Sequence, residues 1–399
     1  MKFVRSVLAI ALAMVCSYAT VADAVIVKKI FGAQVDATGF EPFPLAASLV
    51  CDGTGANLDC PQLFSPDFAD TTGLRFYGVT NRNNPPRYVV SSDGGATWGL
   101  LAVQPYTAAV DFLGGFIAVS STGVIIAPAD QGANNCIIRI STDKGASWST
   151  AFTDTTAGNS CGQRFSAPMT NTSRCAQSDG YCAVVDPAGG GAFDFTTYFS
   201  TDNGINWSKG SPADSVVSSD QVQIKLSVDG ADGVVGMGQI LNANGPVTKV
   251  SELFREGTGY AWAGARCFGS VLMNTSRMIC GPDNVATTLY QNFTVGSGIA
   301  TLANTFTLVD APAFANSPDF HVEAFSSSIA YLFGVNLAVT KVNVYITTNA
   351  FAGAILLAQL TPTTALIAGA CKGESHKWSG KIYFTCGGSG ATAFFGKIE

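Results

Sequence analysis

Histidine and charged residues are scarce in this chain. Two of its 399 residues are histidines, and Asp, Glu, Lys and Arg together make up 13% of the sequence. The scarcity of histidine argues against a histidine-based nucleophilic triad. The net charge is −6 and no basic run is present. Affinity for nucleic acid comes largely from clustered Lys and Arg, so we expect no nucleic-acid partner.

Long apolar runs are missing beyond the N-terminus. Residues 1–24 combine a positive start (Lys2 and Arg5), an apolar stretch over residues 7–16 and a small-residue cleavage site over 22–24. This order predicts a secretory signal peptide. No later segment has 18 uninterrupted apolar residues, so we expect no membrane span. Residues 25–399 are predicted to form one secreted extracellular domain, periplasmic or at the cell surface if the source is bacterial.

The cysteines lack a metal-binding pattern, since no C-x2-C pair occurs, and we expect no cofactor. After residue 24 they are even in number, which favours disulfides in an oxidising compartment. Four of them recur 110, 106 and 104 residues apart, and each is followed by another after 9 to 15 residues. We predict the pairs Cys51–Cys60, Cys267–Cys280 and Cys371–Cys386. Cys161 is expected to pair with Cys175 or Cys182, with Cys136 taking the other.

An octapeptide Ser-x-Asp-x-Gly-x-x-Trp occurs three times, at residues 91–98, 141–148 and 200–207, and its aspartates lie 50 and 59 residues apart. Such an interval is expected of a repeated four-stranded sheet. The Ser and Asp side chains can bond backbone N–H groups across a tight turn, and the glycine allows positive φ. The tryptophan can pack between strands. We interpret these residues as structural: Ser91, Asp93, Gly95, Trp98, Ser141, Asp143, Gly145, Trp148, Ser200, Asp202, Gly204 and Trp207.

The two periods predict an all-β fold of repeated sheets. A cysteine unit of about 105 residues corresponds to two sheets of about 52, and residues 25–399 then accommodate seven, with six as the alternative. The last repeat stops before its fourth strand. We predict that residues 25–30 supply that strand and close the ring, which leaves no open sheet edge.

The octapeptide resembles the Asp-box of the bacterial neuraminidase (BNR) repeat. The chain therefore resembles an Asp-box β-propeller with the fold of the sialidase-like superfamily, a single seven-bladed propeller of four-stranded antiparallel blades. This resemblance implies a fold that serves several functions. We favour a module that binds an extracellular glycan or protein without an evident catalytic site. A sialidase-like glycoside hydrolase and a structural surface protein are the alternatives, and the oligomeric state is left open.

The sialidase alternative implies three arginines that hold the substrate carboxylate, an Asp acid/base and a Tyr–Glu nucleophile. Nine arginines follow residue 24, and the family's early Arg-Ile-Pro signature is absent. Arg164 and Arg266 lie close to equivalent cysteines of the 105-residue unit. They are the candidate ligand-binding arginines, and no catalytic residue is assigned.

A metal site is a weaker candidate. Asp319, His321 and Glu323 alternate along the sequence, so a strand would place them on one face. Two carboxylates and an imidazole can hold a divalent metal, although a solvated polar face explains the same pattern.

Four Asn-x-Ser/Thr sequons begin at Asn171, Asn206, Asn274 and Asn292. In a eukaryotic source these are candidate glycosylation sites and would mark exposed loops.

Overall fold

The computed structural model consists of strands and turns in the residues that it describes. The described residues are 33–36, 39–42, 47–53, 60–80, 87–107, 117–130, 136–155, 173–175, 180–186, 193–209, 213–216, 221–229, 233–241, 251–255, 258–261, 268–274, 277–281, 289–296, 299–310, 320–324, 330–336, 338–347, 352–363, 365–375, 381–388 and 393–398. Within these ranges the regular structure is all β, as the sequence predicts.

The first strands form a hairpin and three sheets. The hairpin pairs β1 (Ala33–Asp36) with β2 (Gly39–Pro42), and β3 (Ala47–Gly53) follows it. Sheet 1 contains β4 (Leu63–Pro66), β5 (Phe76–Val79), β6 (Tyr88–Ser91) and β7 (Gly99–Leu100). Sheet 2 contains β8 (Ala118–Val119), β9 (Ile125–Asp130), β10 (Cys136–Ser141) and β11 (Ser149–Asp154). Sheet 3 contains β12 (Ser173–Cys175), β13 (Cys182–Asp186), β14 (Phe193–Ser200), β15 (Ser208–Lys209) and β16 (Ala213–Val216).

Four more sheets follow. Sheet 4 contains β17 (Gln221–Asp229), β18 (Gly233–Leu241), β19 (Ser251–Arg255) and β20 (Thr258–Ala261). Sheet 5 contains β21 (Phe268–Asn274), β22 (Arg277–Gly281), β23 (Leu289–Gly296) and β24 (Ile299–Thr307). Sheet 6 contains β25 (Phe320–Ala324), β26 (Ala330–Val335), β27 (Val342–Thr347) and β28 (Ile355–Leu360). Sheet 7 contains β29 (Leu366–Ser375), β30 (Ile382–Gly388) and β31 (Ala393–Ile398), with β3 as its fourth strand.

Most of the described strands pair with their sequence neighbours, the exceptions being β3 with β31 and β16 with β14, and each described pairing is antiparallel. This up-and-down order has a geometric consequence for each sheet. The turn between the first and second strands and the turn between the third and fourth strands lie at one end. We name it the box end, because residues 91–98, 141–148 and 200–207 lie there. The other end, with the second-to-third turns and the sheet-to-sheet connections, is the crossover end.

An N-terminal strand completes the last sheet, but it is not the segment that the sequence analysis chose. The fourth strand of sheet 7 is β3, whose Cys51 lies opposite Phe395. The prediction for residues 25–30 is therefore wrong, and those residues lie outside the described ranges. The disulfide Cys51–Cys60 gives the reason, because it ties β3 to the residues that lead directly into sheet 1.

Apolar side chains from adjacent sheets form the core. One cluster joins Phe64, Phe76 and Trp98 of sheet 1 to Tyr383 and Phe395 of sheet 7. Other clusters join sheets 1 and 2, sheets 2 and 3, and sheets 6 and 7. These four pairs of sheets thus bury their facing sides against each other, as repeated sheets must do to make a continuous core.

Candidate functional site

The first octapeptide forms a closed network of hydrogen bonds at the box end. The Ser91 hydroxyl donates to Asp93 Oδ1 (2.8 Å) and accepts from the Gly95 N–H (2.9 Å). Asp93 also accepts from the backbone N–H of Thr97 (2.9 Å) and from its hydroxyl. Gly95 has a φ of 88°, which an L side chain rarely adopts. The Asp93 carboxylate therefore stabilises the turn by accepting hydrogen bonds within it.

The same network recurs in the other two octapeptides. Asp143 accepts from the N–H of Ser147 and Asp202 from that of Asn206, both at 2.9 Å. Hydrogen bonds, first those from Ser147, lower the pKa of Asp143 to about 2. Burial acts to raise the pKa of Asp93 and Asp202, but hydrogen bonds outweigh it and both pKa values are lowered. All three side chains are held as ionised turn acceptors, which suits a structural role.

The glycine of each octapeptide touches the preceding sheet. A Cβ on Gly95 would lie 2.1 Å from Cε1 of Phe395 in sheet 7. A Cβ on Gly204 would lie 2.6 Å from Cδ1 of Ile126 in sheet 2, and one on Gly145 would lie 3.0 Å from Leu101. The octapeptide turns therefore seal neighbouring sheets together, in addition to joining the third and fourth strands of their own sheet.

The three tryptophans do not behave alike. The indole N–H of Trp98 donates to the Gly95 carbonyl (2.9 Å), and that of Trp207 donates to the Gly204 carbonyl (2.7 Å). These two side chains are buried. Trp148 is half-buried, and its N–H donates instead to the Val103 carbonyl (3.0 Å), in the connection from sheet 1 to sheet 2. The second octapeptide departs from the shared pattern here.

In sheets 2, 3 and 6 a large polar-tipped side chain occupies the same position of the third strand, which in sheets 2 and 3 lies two residues before the octapeptide serine. Tyr198 occupies it in sheet 3, where its hydroxyl donates to Asp154 Oδ2 at the end of sheet 2 (2.8 Å). Lys209 Nζ lies 2.6 Å from the same oxygen. In sheet 6 the Tyr345 hydroxyl contacts the carbonyls of Val309 and Asp310, both at 2.9 Å. In sheet 2 the residue is Arg139, whose Nη1 donates to the Pro105 carbonyl.

These contacts make a recurring joint between one sheet and the connection that precedes it. Sequence reasoning missed the joint. The three side chains share neither charge nor a sequence motif. Alignment of the third strands on Ser141, Ser200 and Thr347 would have shown a large polar-tipped residue two positions earlier in sheets 2, 3 and 6, whereas sheet 1 has Val89 there.

An amide-rich cluster surrounds Asp310 at the crossover end. Its Oδ2 accepts from Gln359 Nε2 (2.7 Å), Asn343 Nδ2 (3.2 Å) and Asn336 Nδ2 (3.3 Å). Asn336 in turn accepts from the backbone N–H of Lys341 (2.9 Å). The carboxylate of Asp310 is thus occupied by neutral donors from sheet 6.

A buried carboxyl lies at the opposite end, in the first turn of sheet 1. Burial raises the pKa of Asp67, although its Oδ1 accepts from the Ala69 N–H (3.1 Å). Burial also raises the pKa of the nearby Tyr77 to about 12. Both side chains are enclosed between sheets 1 and 2, with 3% and 1% of their surface exposed. A substrate cannot reach them in this arrangement.

The predicted disulfides are borne out in part. Cys51–Cys60 and Cys371–Cys386 are confirmed. Cys175 pairs with Cys182, so both alternatives for Cys161 and Cys136 were wrong. The two cysteines are direct partners on β12 and β13, with Cα atoms 4.0 Å apart, which spacing along the sequence could not show. Cys136 is disulfide-bonded as well. Of the remaining predicted pair, Cys280 lies in β22, while Cys267, like Cys161, lies outside the described residues.

The candidate glycosylation sites fall in different environments. Asn206 is exposed, and its Nδ2 donates to Asp202 (2.6 Å). Asn292 is 1% exposed and donates to Asn304 (2.8 Å). The expectation of an exposed loop is wrong there, because Asn292 lies in the third strand of sheet 5, opposite Asn304. Asn274 ends β21, and Asn171 lies outside the described residues.

The other candidate ligands are placed in part. Arg164, Arg266 and Asp319 lie outside the described residues. His321 and Glu323 occupy alternate positions of β25. Within the residues that the structure describes, no group of three His, Cys, Asp or Glu could hold a metal ion. The ligand-binding and metal interpretations stay predictions.

Comparison with known proteins agrees with the geometry of the octapeptides. A model of the BNR/Asp-box repeat matches residues 198–209. The structure of YCF48 bound to D1 peptide is similar with a TM-score of 0.53 and 12% identity, over 89% of this chain and 96% of that one. Residues 198–209 thus contain a BNR/Asp-box repeat, and the fold resembles that of the YCF48 structure. The octapeptide turns are accordingly Asp-boxes.

Other solved structures resemble the chain more loosely. An α-L-arabinofuranosidase from Fusarium graminearum in complex with an iminosugar inhibitor gives a TM-score of 0.48 at 10% identity, over 89% of this chain and 97% of that one. The fucose-specific lectin from Aleuria aurantia gives 0.44 at 12% identity, over 83% and 89%. No curated protein sequence matches the chain. In the described ranges no helix has the length and apolarity needed to cross a membrane.

Proposed function

We propose that this protein is a secreted Asp-box propeller that binds a glycan at its crossover end and has no catalytic role. The proposal includes a closed ring of seven blades formed by sheets 1 to 7, within a single domain over residues 25–399 after a signal peptide of residues 1–24. Three disulfides accord with an oxidising, extracellular setting.

Contacts between first strands support the ring. In chain order, β4, β8, β12, β17, β21, β25 and β29 each contact the next, and β29 contacts β4. The disulfide Cys51–Cys60 and the aromatic cluster around Phe395 hold sheet 7 against sheet 1. The Thr385 hydroxyl adds a hydrogen bond to the Pro61 carbonyl (2.7 Å). Closure of this kind removes the free edges that a row of open sheets would expose.

The observation that carries the binding proposal is the state of the carboxylates at the crossover end. A glycoside hydrolase needs two carboxyl groups facing a shared groove. Asp154 is bonded to Tyr198 and Lys209, and Asp310 to three amides. Among the side chains described at this end, both carboxylates therefore hold sheets together and neither is free for acid/base work. A glycan-binding site does not need a pair of free carboxylates.

The polar chemistry of the same end suits a glycan. Its exposed described side chains include the Thr340 hydroxyl and the Gln359 amide. Neutral donors and acceptors of this kind match sugar hydroxyls, and sites of this sort place a few polar groups beside apolar walls. Loops from several sheets converge at one end of a propeller, which offers a surface large enough for an oligosaccharide.

The experiment is a glycan array on the secreted, disulfide-intact protein, run beside hydrolysis assays on fluorogenic sialosides and neutral glycosides. We expect binding to a defined set of glycans and no turnover. Turnover of any substrate would establish the glycoside hydrolase alternative instead. If the array shows no glycan binding and a pull-down captures one protein ligand, the ligand is a protein and not a glycan. If no assay shows binding or turnover, the structural surface protein is favoured.

A further inference from the structure

Two residues outside the Asp-boxes adopt a left-handed backbone conformation. Within the described ranges, four non-glycine residues have a positive φ. Lys144 and Asn203 are explained by their Asp-boxes, because each precedes the box glycine, as Gly94 does in the first box. The other two are Asp310 (φ 50°) and Val339 (φ 56°). This conformation is unfavourable for L residues, above all for a β-branched one, and it persists only where the surrounding structure enforces it.

These two residues belong to one hydrogen-bonded cluster at the crossover end. Val339 lies in the turn between β26 and β27, where its N–H donates to the Asn336 carbonyl (2.8 Å). The side-chain amide of Asn336 donates in turn to Asp310 Oδ2 (3.3 Å), just after β24. Backbone strain collects where a site must hold its groups in a fixed geometry. The cluster is therefore a candidate site at the end where we place glycan binding.

Three amides fix the orientation of the Asp310 carboxylate. An ionised carboxylate only accepts hydrogen bonds, so Asn336, Asn343 and Gln359 must each present an amide nitrogen to it. Their nitrogens contact Oδ2 at 3.3, 3.2 and 2.7 Å. Among the described residues the other oxygen, Oδ1, has one long contact, with Asn336 at 3.5 Å. Because Asp310 is exposed, Oδ1 is an oriented acceptor that a ligand can reach.

The backbone of Asp310 is held as well. Its carbonyl accepts from Asn343 Nδ2 (2.6 Å) and from the Tyr345 hydroxyl (2.9 Å). Both of these side chains are fully buried on β27. A group that is already immobilised loses little freedom when a ligand binds, which favours affinity.

A donor lies beside this acceptor. Lys341 Nζ donates to Gln359 Oε1 (3.2 Å), and Gln359 Nε2 donates to Asp310 Oδ2. One amide thus separates the ammonium from the carboxylate. An ammonium has three N–H donors, so others remain for a ligand once this bond is made. A site that presents one charge of each sign favours a neutral polar ligand over an ion.

An exposed apolar side chain adjoins the pair. Val309, the neighbour of Asp310, is 70% exposed, which is the highest value among the described large hydrophobic residues. An aliphatic side chain packs against the C–H face of a sugar ring, while a few fixed polar groups bind the hydroxyls. The cluster provides both kinds of contact.

We propose that Asp310 and Lys341 form a binding site for a neutral sugar unit with two adjacent free hydroxyls, at the crossover end between sheets 5 and 6. One hydroxyl donates to Asp310 Oδ1, its neighbour accepts from Lys341 Nζ, and the ring packs against Val309. This inference rests on the proposed glycan-binding function and names its site and ligand class. A single carboxylate with no second one across a groove binds the sugar without cleaving it.

The test uses the methyl glycosides of glucose, galactose, mannose and arabinose as probes, with their fully O-methylated forms as matched ligands. Each is titrated into the full, disulfide-intact chain and followed by ligand-observed NMR. We expect at least one glycoside to bind. Its methylated form should bind at least about 10-fold more weakly, since the hydroxyl donors to a charged acceptor are lost.

Asp310→Asn is the sharpest variant, because the three amide donors force its oxygen into the Oδ2 position. Its NH2 group then replaces Oδ1, and the outward acceptor becomes a donor. We expect the affinity to fall by about 10-fold or more. Lys341→Met keeps the apolar stem and should weaken binding by about 3- to 10-fold. Lys144→Met, at the box end, is the matched control and should keep the affinity within about twofold.

Urea unfolding shows whether each variant is folded, and Lys341→Met decides the matter if Asp310→Asn does not fold. Full affinity in the folded variants would overturn the inference, and so would equal affinity for free and methylated glycosides. If the glycan array shows binding and none of the four glycosides binds, glycan binding stands and this site fails. If no glycan of any kind binds, the proposed function fails together with it.

Discussion

Replacement of Gly95 by alanine is the sharpest test of how the Asp-boxes act on the fold. Gly95 lies in the first Asp-box with a φ of 88°, and the added Cβ would lie 2.1 Å from Cε1 of Phe395. The Phe395 ring cannot easily retreat. It is fully buried and packs edge-on against Phe64 and Trp98, with centroids 4.9 and 5.2 Å away.

Two costs add in this variant. An L side chain at positive φ costs about 1–2 kcal/mol, and forcing extra volume into a well-packed core costs about 1–3 kcal/mol. We therefore expect Gly95→Ala to lower the free energy of unfolding by roughly 2–5 kcal/mol. The affected contact is the one between sheets 7 and 1, so the loss bears on the joint that closes the proposed ring.

The chain offers a graded control series. Gly99→Ala introduces a Cβ with nothing within 4 Å, and it should change stability by no more than about 0.5 kcal/mol. Gly145→Ala meets the flexible end of Leu101 at 3.0 Å, so the strain of its φ of 88° should dominate at about 1–2 kcal/mol. Gly204→Ala, at 2.6 Å from Ile126, should fall between Gly145→Ala and Gly95→Ala.

Urea unfolding followed by tryptophan fluorescence measures all four variants. The reasoning fails if Gly95→Ala is no more destabilising than Gly99→Ala. It fails in part if Gly145→Ala and Gly95→Ala cost the same, since the backbone would then account for the whole effect and the contact with the preceding sheet for none of it.

Two further predictions concern charges. The pKa of Asp143 falls from 3.8 to about 2 in the folded chain, so its stabilising effect is present above pH 3.8 and is lost as the pH falls toward 2. Urea midpoints should decline over that window, and Asp143→Asn should flatten the decline; an unchanged slope would contradict the assignment. The raised pKa of Asp67 acts with the opposite sign: its contribution is present at low pH and is lost as the pH rises above 3.8, and Asp67→Asn should remove that dependence. At the joint of sheets 2 and 3, Tyr198→Phe should cost about 1–3 kcal/mol, because the hydrogen bond to the Asp154 carboxylate is lost. Lys209→Gln should cost less than about 1 kcal/mol, since the lysine is 34% exposed. The same urea assay ranks the two, and the reverse order would show that the ion pair holds this joint.

The repeated chemistry of the Asp-box made much of the fold predictable. The hydrogen bonds of the turn join residues within one segment of seven, namely Ser91, Asp93, Gly95 and Thr97. The sequence pattern therefore predicts the turn wherever it occurs. Two disulfides with short sequence separation were equally accessible from spacing.

The features that failed depend on how the strands pair. The pairing of Cys175 with Cys182 follows from the register of β12 and β13, and residues between them in sequence say nothing of that register. The closing strand was placed too early, because several N-terminal segments alternate suitably and only contact with β31 selects Ala47–Gly53. Asn292 has the sequence of a glycosylation site, and its burial is decided by the sheet around it.

The sequence by itself determined the repeat, the turns and the all-β class, because each of these depends on residues within one short segment. The tertiary structure decided which sheets meet and what occupies the joints between them. Arg139, Tyr198 and Tyr345 became a set only when each was seen to reach the preceding sheet.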